Sequence, residues 1–181
     1  MTGSVEVSST GKEGEGGELS FLALIRIHEH LNQLFFSHQE ALLMFNLRIA
    51  CDRMLVFEKE LRSHMKVEEE LLLPIYQRAG RILGGPVEFF TGEHKRMLEF
   101  VGRFCEKLRE LDRNPLDLKR EIIALLDEEA TFKHLVMHHD EREQSILYPT
   151  LDRVTTDAER HEILPRCFPA NSSLRQMGYC G

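Results

Sequence analysis

Apolar residues recur at helical spacing through most of the chain. From Leu19 to about Gly80 the apolar face runs through Leu24, Ile27, Leu31 and Leu34, and then through Leu55, Leu61, Val67 and Leu71. No apolar-polar alternation of the strand type competes with it. The pattern predicts helices over about 19–44, 48–79, 87–112 and 117–153, with the Gly80 to Pro86 stretch (GRILGGP) crossing between the two halves. Ser37-x-x-Glu40 imitates a capping box inside the first helix. A register argument keeps that helix whole. If His30 and His64 lie at the same depth on antiparallel helices, equal rise per residue puts the turn near Leu47, beside Asn46. The same construction on His94 and His139 falls between Leu116 and Asp117, next to the Asn114-Pro115 turn signal. The fold expected is all-α, an antiparallel up-down four-helix bundle over 19–164. A disordered Gly/Ser/Glu-rich tail precedes it at 1–18. Thr156 to Leu164 begins like a capped short helix, and an irregular tail follows over 165–181, where Phe168 and Tyr179 are candidates to dock on the bundle.

Composition narrows the classes of function. At 181 residues and 42% apolar content the chain suits one domain with a sizeable core. A net charge of −7 leaves no basic stripe for phosphate backbones and repels anionic lipid, so neither nucleic acid nor a membrane is an expected partner. The first eighteen residues have neither a basic start nor an apolar run. Cys51, Cys105, Cys167 and Cys180 show no CxxC spacing, and reduced thiols in helical patterns suit a reducing, cytoplasmic setting.

The chemistry lies in a phrase that occurs twice, His64-x₃-Glu68-x₅-Pro74 in HMKVEEELLLP and His139-x₃-Glu143-x₅-Pro149 in HDEREQSILYP. Each puts an imidazole and a carboxylate on one helical face, followed by an apolar run and a proline of the helix-ending kind. A helix bearing Glu-His precedes each, Glu29-His30 and Glu93-His94. Four helices would then supply four histidines and two glutamates, and a carboxylate at the centre of a bundle can bridge two cations through its two oxygens. A single His-x₃-Glu is ordinarily a solvated pair; it is the ordered duplication that points to a metal. Periodicity does not separate His28 from His30, and the parallel with Glu93-His94 selects His30. His138 pairs in spacing with Arg142 and His139 with Glu143, which selects His139 over His138 and over the His134-His138 pair. Glu29, Glu69, Glu70 and Glu93 read as solvated groups or as carboxylates orienting the imidazoles. His38 and His161 carry no partner pattern and read as surface groups.

These phrases, in this order, resemble the hemerythrin-like, or HHE cation-binding, domain family over about residues 20–164. The resemblance implies a non-haem pair of iron ions, oxo- or hydroxo-bridged, held by His30, His64, Glu68, His94, His139 and Glu143. It implies as partners a small diatomic or peroxide ligand, with a homodimer as an option. It departs from oxygen-carrying hemerythrins at Leu98, where those have a fifth histidine, and at Glu143, where their last carboxylate is an aspartate five residues beyond its histidine. The departures argue against reversible oxygen carriage. They leave two functions: reaction with dioxygen, peroxide or nitric oxide in oxidative or nitrosative stress or iron handling, with peroxidase- or catalase-like turnover as one form, and non-catalytic sensing or storage of iron or oxygen.

Overall fold

The computed structural model describes residues 19–111, 113 and 117–168. The expectations for the 1–18 tail, for the Asn114-Pro115 turn and Leu116, and for Cys180, Tyr179 and the rest of 169–181 lie outside them. The described residues are helical, without a strand. A 3₁₀ turn over Phe21–Leu24 leads into α1 (Ile25–Leu43), and α2 (Leu47–Val67) follows after a three-residue turn. Next come a π turn over Glu68–Leu72, the short α3 (Leu73–Tyr76), α4 (Val87–Leu111) and α5 (Leu118–Arg142). A second π turn over Glu143–Leu147 leads to α6 (Tyr148–Val154) and then α7 (Asp157–Cys167).

Helix ends follow local chemistry. The Asn46 side chain accepts from the Ile49 N–H and starts α2, and Phe45 before it takes the left-handed conformation at φ 57° that ends a helix sharply. Ser37 sits in mid-helix, its hydroxyl bonded to the Leu34 carbonyl, and α1 runs through it as expected. Thr156 and Glu159 form a capping box at the start of α7, which extends past Pro165 to Cys167 rather than giving way to a tail at 165. Phe168 beyond it is buried. At the other end Ser20 and the Phe21 N–H both bond Asp152, pinning the start of the first helix to α6.

The four long helices pack in a ring, α1 on α2, α2 on α4, α4 on α5 and α5 on α1. Contacts between α1 and α2 run in opposed register, with His28 meeting His64, His30 meeting Glu60 and His38 meeting Ala50. Each helix sends a seam of alternating three- and four-residue steps inward. In α1 it is Leu24, His28, Leu31, Phe35, His38 and Leu42, and in α2 it is Ala50, Met54, Phe57, Leu61, His64 and Glu68, all buried. Phe35 packs 5.1 Å from both Phe57 and Phe132, ring to ring, so the interior is closed by aromatic side chains on one side of the polar cluster.

Two local expectations give way. Pro74 and Pro149 do not end their helices, which continue to Ala79 and Val154. A proline within a helix removes one hydrogen bond and crowds the turn before it. Here a widened turn lies directly ahead of each, with the Leu73 N–H bonded back to Glu68 and the Tyr148 N–H to Glu143, and it takes up both defects. His38 is not a surface group but wholly buried, bonded to the Ala50 carbonyl and to Glu129, which is wholly buried too.

The crossing between halves is closely fitted. The Tyr76 hydroxyl donates to the Gly85 carbonyl, and a Cβ on Gly85 would collide with the Tyr76 hydroxyl oxygen and come within 2.7 Å of Ile146. Gly102, inside α4, has open space around it. In chemical denaturation Gly85→Ala should therefore lose about 1–3 kcal/mol, whereas Gly102→Ala should gain about 0.5–1 kcal/mol from lower chain entropy in the unfolded state.

Candidate metal centre

α1 brings in His28, α2 His64, α4 His94 and α5 His139, and the first residue of each π turn brings in a glutamate, Glu68 or Glu143. All six side chains are buried, the two glutamates at 1% and 0% exposure. Glu68 turns one oxygen to His64 Nε2 at 3.4 Å and the other to His94 Nε2 at 3.3 Å. Glu143 does the same with His28 Nε2 at 3.0 Å and His139 Nε2 at 3.1 Å. Two overlapping sets of donors result, His28, His64, Glu68 and Glu143, and Glu68, His94, His139 and Glu143, each with its atoms within 4.8 Å of one another. Both glutamates belong to both sets.

Of the six residues read from the sequence, five are brought together: His64, Glu68, His94, His139 and Glu143. His30 is not among them. It lies two residues from the inward seam of α1, 40% exposed, and bonds Glu60 at 2.7 Å; His28 occupies the cluster instead. The repeated Glu-His dipeptide misleads because it compares neighbours in sequence, whereas position on the helix is set by the three-and-four step from Leu24 to Leu31, on which His28 falls. His138 is exposed beside Glu141, and His161 is exposed on α7.

Outside this cluster, carboxylates fix the rings. His94 Nδ1 meets Glu69 at 2.8 Å, and His139 Nδ1 meets Glu93 at 3.1 Å, with Glu93 clasped in turn by Arg142. Donation from Nδ1 leaves the Nε2 lone pair facing inward. Glu29 and Glu70 take no such role and are exposed. Asp140 serves His28 more loosely, its carboxylate 3.5 Å from Nδ1 and hydrogen-bonded by Asn32. The Tyr148 hydroxyl enters the cluster from α6, at 3.1 Å from His28 Nε2, 3.1 Å from Glu143 and 3.3 Å from Glu68. Asp140 and Tyr148 are absent from the reading of the sequence, yet the two repeats mark both. Aligned on histidine and proline, the repeats differ at seven positions, among them Met65 against Asp140 and Leu73 against Tyr148.

The electrostatics describe a site short of positive charge. Burial would lift the Glu143 carboxyl, but the imidazoles of His139 and His28 outweigh it and hold Glu143 well below the usual carboxylate range. Glu68 moves the other way, lifted by burial and by Glu143. Burial works against charge on His139, His28 and His94; the adjoining carboxylates win, and all three are raised, His139 most. His64, desolvated and beside His28, is lowered well below the histidine range.

The donors fit a pair of divalent ions. Glu68 Oε2, His94 Nε2 and Glu143 Oε1 are buried with no hydrogen-bond partner among the described residues, and a cation between them would satisfy all three. Imidazole nitrogen with carboxylate oxygen is the set that iron, manganese and zinc accept.

The arrangement defines an all-helical protein whose interior holds two overlapping His/Glu cation clusters. The family description Hemerythrin HHE cation binding domain matches residues 21–151, and the chain belongs to that family. Comparison with curated proteins and with solved structures gives no significant match.

Two outcomes check this geometry. His28→Ala should lower bound metal per chain, measured by plasma emission spectroscopy, while His30→Ala leaves it unchanged; Glu69→Gln and Glu93→Gln should weaken metal affinity by about 10–100-fold. The adjoining carboxylates raise His28, His94 and His139, and burial raises Glu68, so protons compete with metal at these donors. Affinity should fall as pH falls, and calorimetry in buffers of different ionisation enthalpy should show proton release on metal binding that grows as pH is lowered.

Proposed function

We propose that this is a non-haem di-iron protein that binds or reacts with dioxygen, peroxide or nitric oxide, acting in oxidative or nitrosative stress or in iron handling. The observation that carries the reading is that Glu68 and Glu143 each direct their two oxygens at different imidazole pairs, as two bridging carboxylates do. His28 and His64 would hold one ion and His94 and His139 the other, with both glutamates shared. A bound iron pair supplies open coordination positions and two electrons for redox chemistry.

The chain's own groups do the rest. Glu69 and Glu93 keep His94 and His139 oriented. The Tyr148 hydroxyl places a proton at the His28–His64 side, in a spot where burial and the two glutamates push the phenol's pKa well above its ordinary value, so that it stays a donor. Leu31, Phe35, Phe57 and Leu61 exclude bulk water from that side.

The antiparallel up-down order of the four long helices belongs to the same proposal, supported by their closed ring of packing and by the opposed register of α1 and α2. No helix among the described residues is long and apolar enough to cross a membrane. A cytoplasmic setting is proposed from the reduced thiols of Cys105 and Cys167.

Iron analysis on protein purified without oxygen should give about two ions per chain if both donor sets fill. On oxidation the near-ultraviolet spectrum should gain the absorption of a bridged ferric pair. Zinc in place of iron, or no metal, overturns the reading. Consumption of peroxide in excess of the iron present marks an enzyme; stoichiometric binding of nitric oxide or dioxygen without turnover marks the sensing or storage alternative.

A further inference from the structure

Beside the His28–His64 half lies a chamber with about 30 Å³ of free space, room for roughly two water-sized bodies. Its inner wall is apolar apart from imidazole edges: Leu31, Phe35, Phe57, Leu61, Met65 and Met97, all buried. The residues lining it that reach the surface, Asn32, Phe36, Lys133, Val136 and Asp140, come from α1 and α5 alone, so its mouth opens between those two helices. Lys133 lies over the Phe36 ring at 5.7 Å and donates to Gln39 Oε1 at 3.3 Å. Gln39 is itself held from below: its amide donates to Glu129 at 2.8 Å, and the other Glu129 oxygen bonds the buried His38.

We propose that small neutral molecules of about two heavy atoms reach the centre through this chamber, and that Phe36 with Lys133 forms a latch across its mouth, positioned by the buried Gln39–Glu129–His38 chain. What the chamber serves rests on the di-iron reading; the latch itself does not. The wall selects by solvation. A hydrated anion entering it would exchange its water shell for hydrocarbon and a few imidazole edges, a large cost that a neutral diatomic escapes and that uncharged hydrogen peroxide pays only in part. An ammonium held over an aromatic ring is a modest interaction, weak enough to open often and strong enough to narrow the opening on average. The buried chain gives Gln39 one orientation, which keeps Lys133 over Phe36 rather than in solvent. It also gives His38 and Glu129 a role that the metal cluster does not.

The protein carries its own probes. Met65 and Met97 line the chamber, Met54 is wholly buried away from it, and Met137 is 45% exposed. Peptide-resolved mass spectrometry after a pulse of hydrogen peroxide, on metal-free and on zinc-treated protein, reads access without any iron chemistry. Phe36→Ala and Lys133→Ala should speed sulfoxide formation at Met65 and Met97 several-fold, with Met54 and Met137 unchanged. Lys133→Arg should restore the wild-type rate, and Gln39→Leu should behave like Lys133→Ala. Peroxymonosulfate, an anionic oxidant, should favour Met137 over Met65 and Met97 more strongly than peroxide does. Equal rates at Met65 and Met97 in all variants overturn the latch, and so does acceleration of Met54 in step with them, which would mean general loosening. Metal content tests the di-iron reading separately, so the two can fail independently.

Discussion

Two carboxylates buried among four imidazoles are the constraint around which this molecule is arranged. Glu68 and Glu143 are at 1% and 0% exposure, and each would cost several kcal/mol as an uncompensated ion. Nothing in the surrounding wall offers relief: Phe35, Leu61, Met65 and Met97 have no donors to give. Compensation comes from the Tyr148 hydroxyl, which reaches both carboxylates, and from within the cluster, through the facing imidazoles or cations held between them. The backbone serves the same end. Each glutamate opens a π turn that widens the helix at the point where its carboxylate leaves the seam, and each proline six residues on tolerates that widening better than a regular turn would.

Much of the fold and most of the cluster could be read from the chain. The helical boundaries are legible because apolar periodicity persists for several turns in each helix and turn chemistry at Asn46 and Gly80 agrees with it. His64, Glu68, His94, His139 and Glu143 are legible because the repeat fixes their order and spacing. His28 is misread for a particular reason. The stripe taken through Leu24, Ile27, Leu31 and Leu34 spans a broad face, and on a broad face His28 and His30 flank the centre equally. The stricter seam of alternating four and three steps, Leu24, His28, Leu31, Phe35, His38 and Leu42, admits one of them only. The same seam would have found His38, and in α5 the steps Ile122, Leu125, Glu129 and Phe132 would have found its partner Glu129. Polar residues on a strict seam are rare because each must be satisfied in the interior, and here every one belongs to a cluster or to the chain beneath the latch.

The contacts of Tyr148 have no counterpart in any single-residue pattern. A buried tyrosine at helical spacing is most often core, and the comparison of the repeats offers it only as one of seven differing positions. The phrase with leucine before its proline packs Leu73 into the core; the phrase with tyrosine sends a hydroxyl to three of the donor atoms.

That comparison reaches the question of how a duplicated site works. Leu98, in place of a fifth histidine, gives each half two imidazoles and a share in both carboxylates, which suggests two equivalent ions. The surroundings break the equivalence. The His94–His139 half is held by two close outer carboxylates, Glu69 and Glu93, with Arg142 fixing the second. The His28–His64 half has the distant Asp140, the Tyr148 hydroxyl and the apolar chamber. A firmly oriented half favours a coordination shell that does not change, and a half with a proton donor on one side and empty apolar space on the other favours one that does. Two of the seven positions at which the repeats differ, Asp140 against Met65 and Tyr148 against Leu73, bear on this same half, since Met65 lines the chamber. At Asp140 and Tyr148 the two halves thus come to differ in their surroundings, one set of donors held firmly by outer carboxylates and the other flanked by a hydroxyl and apolar space.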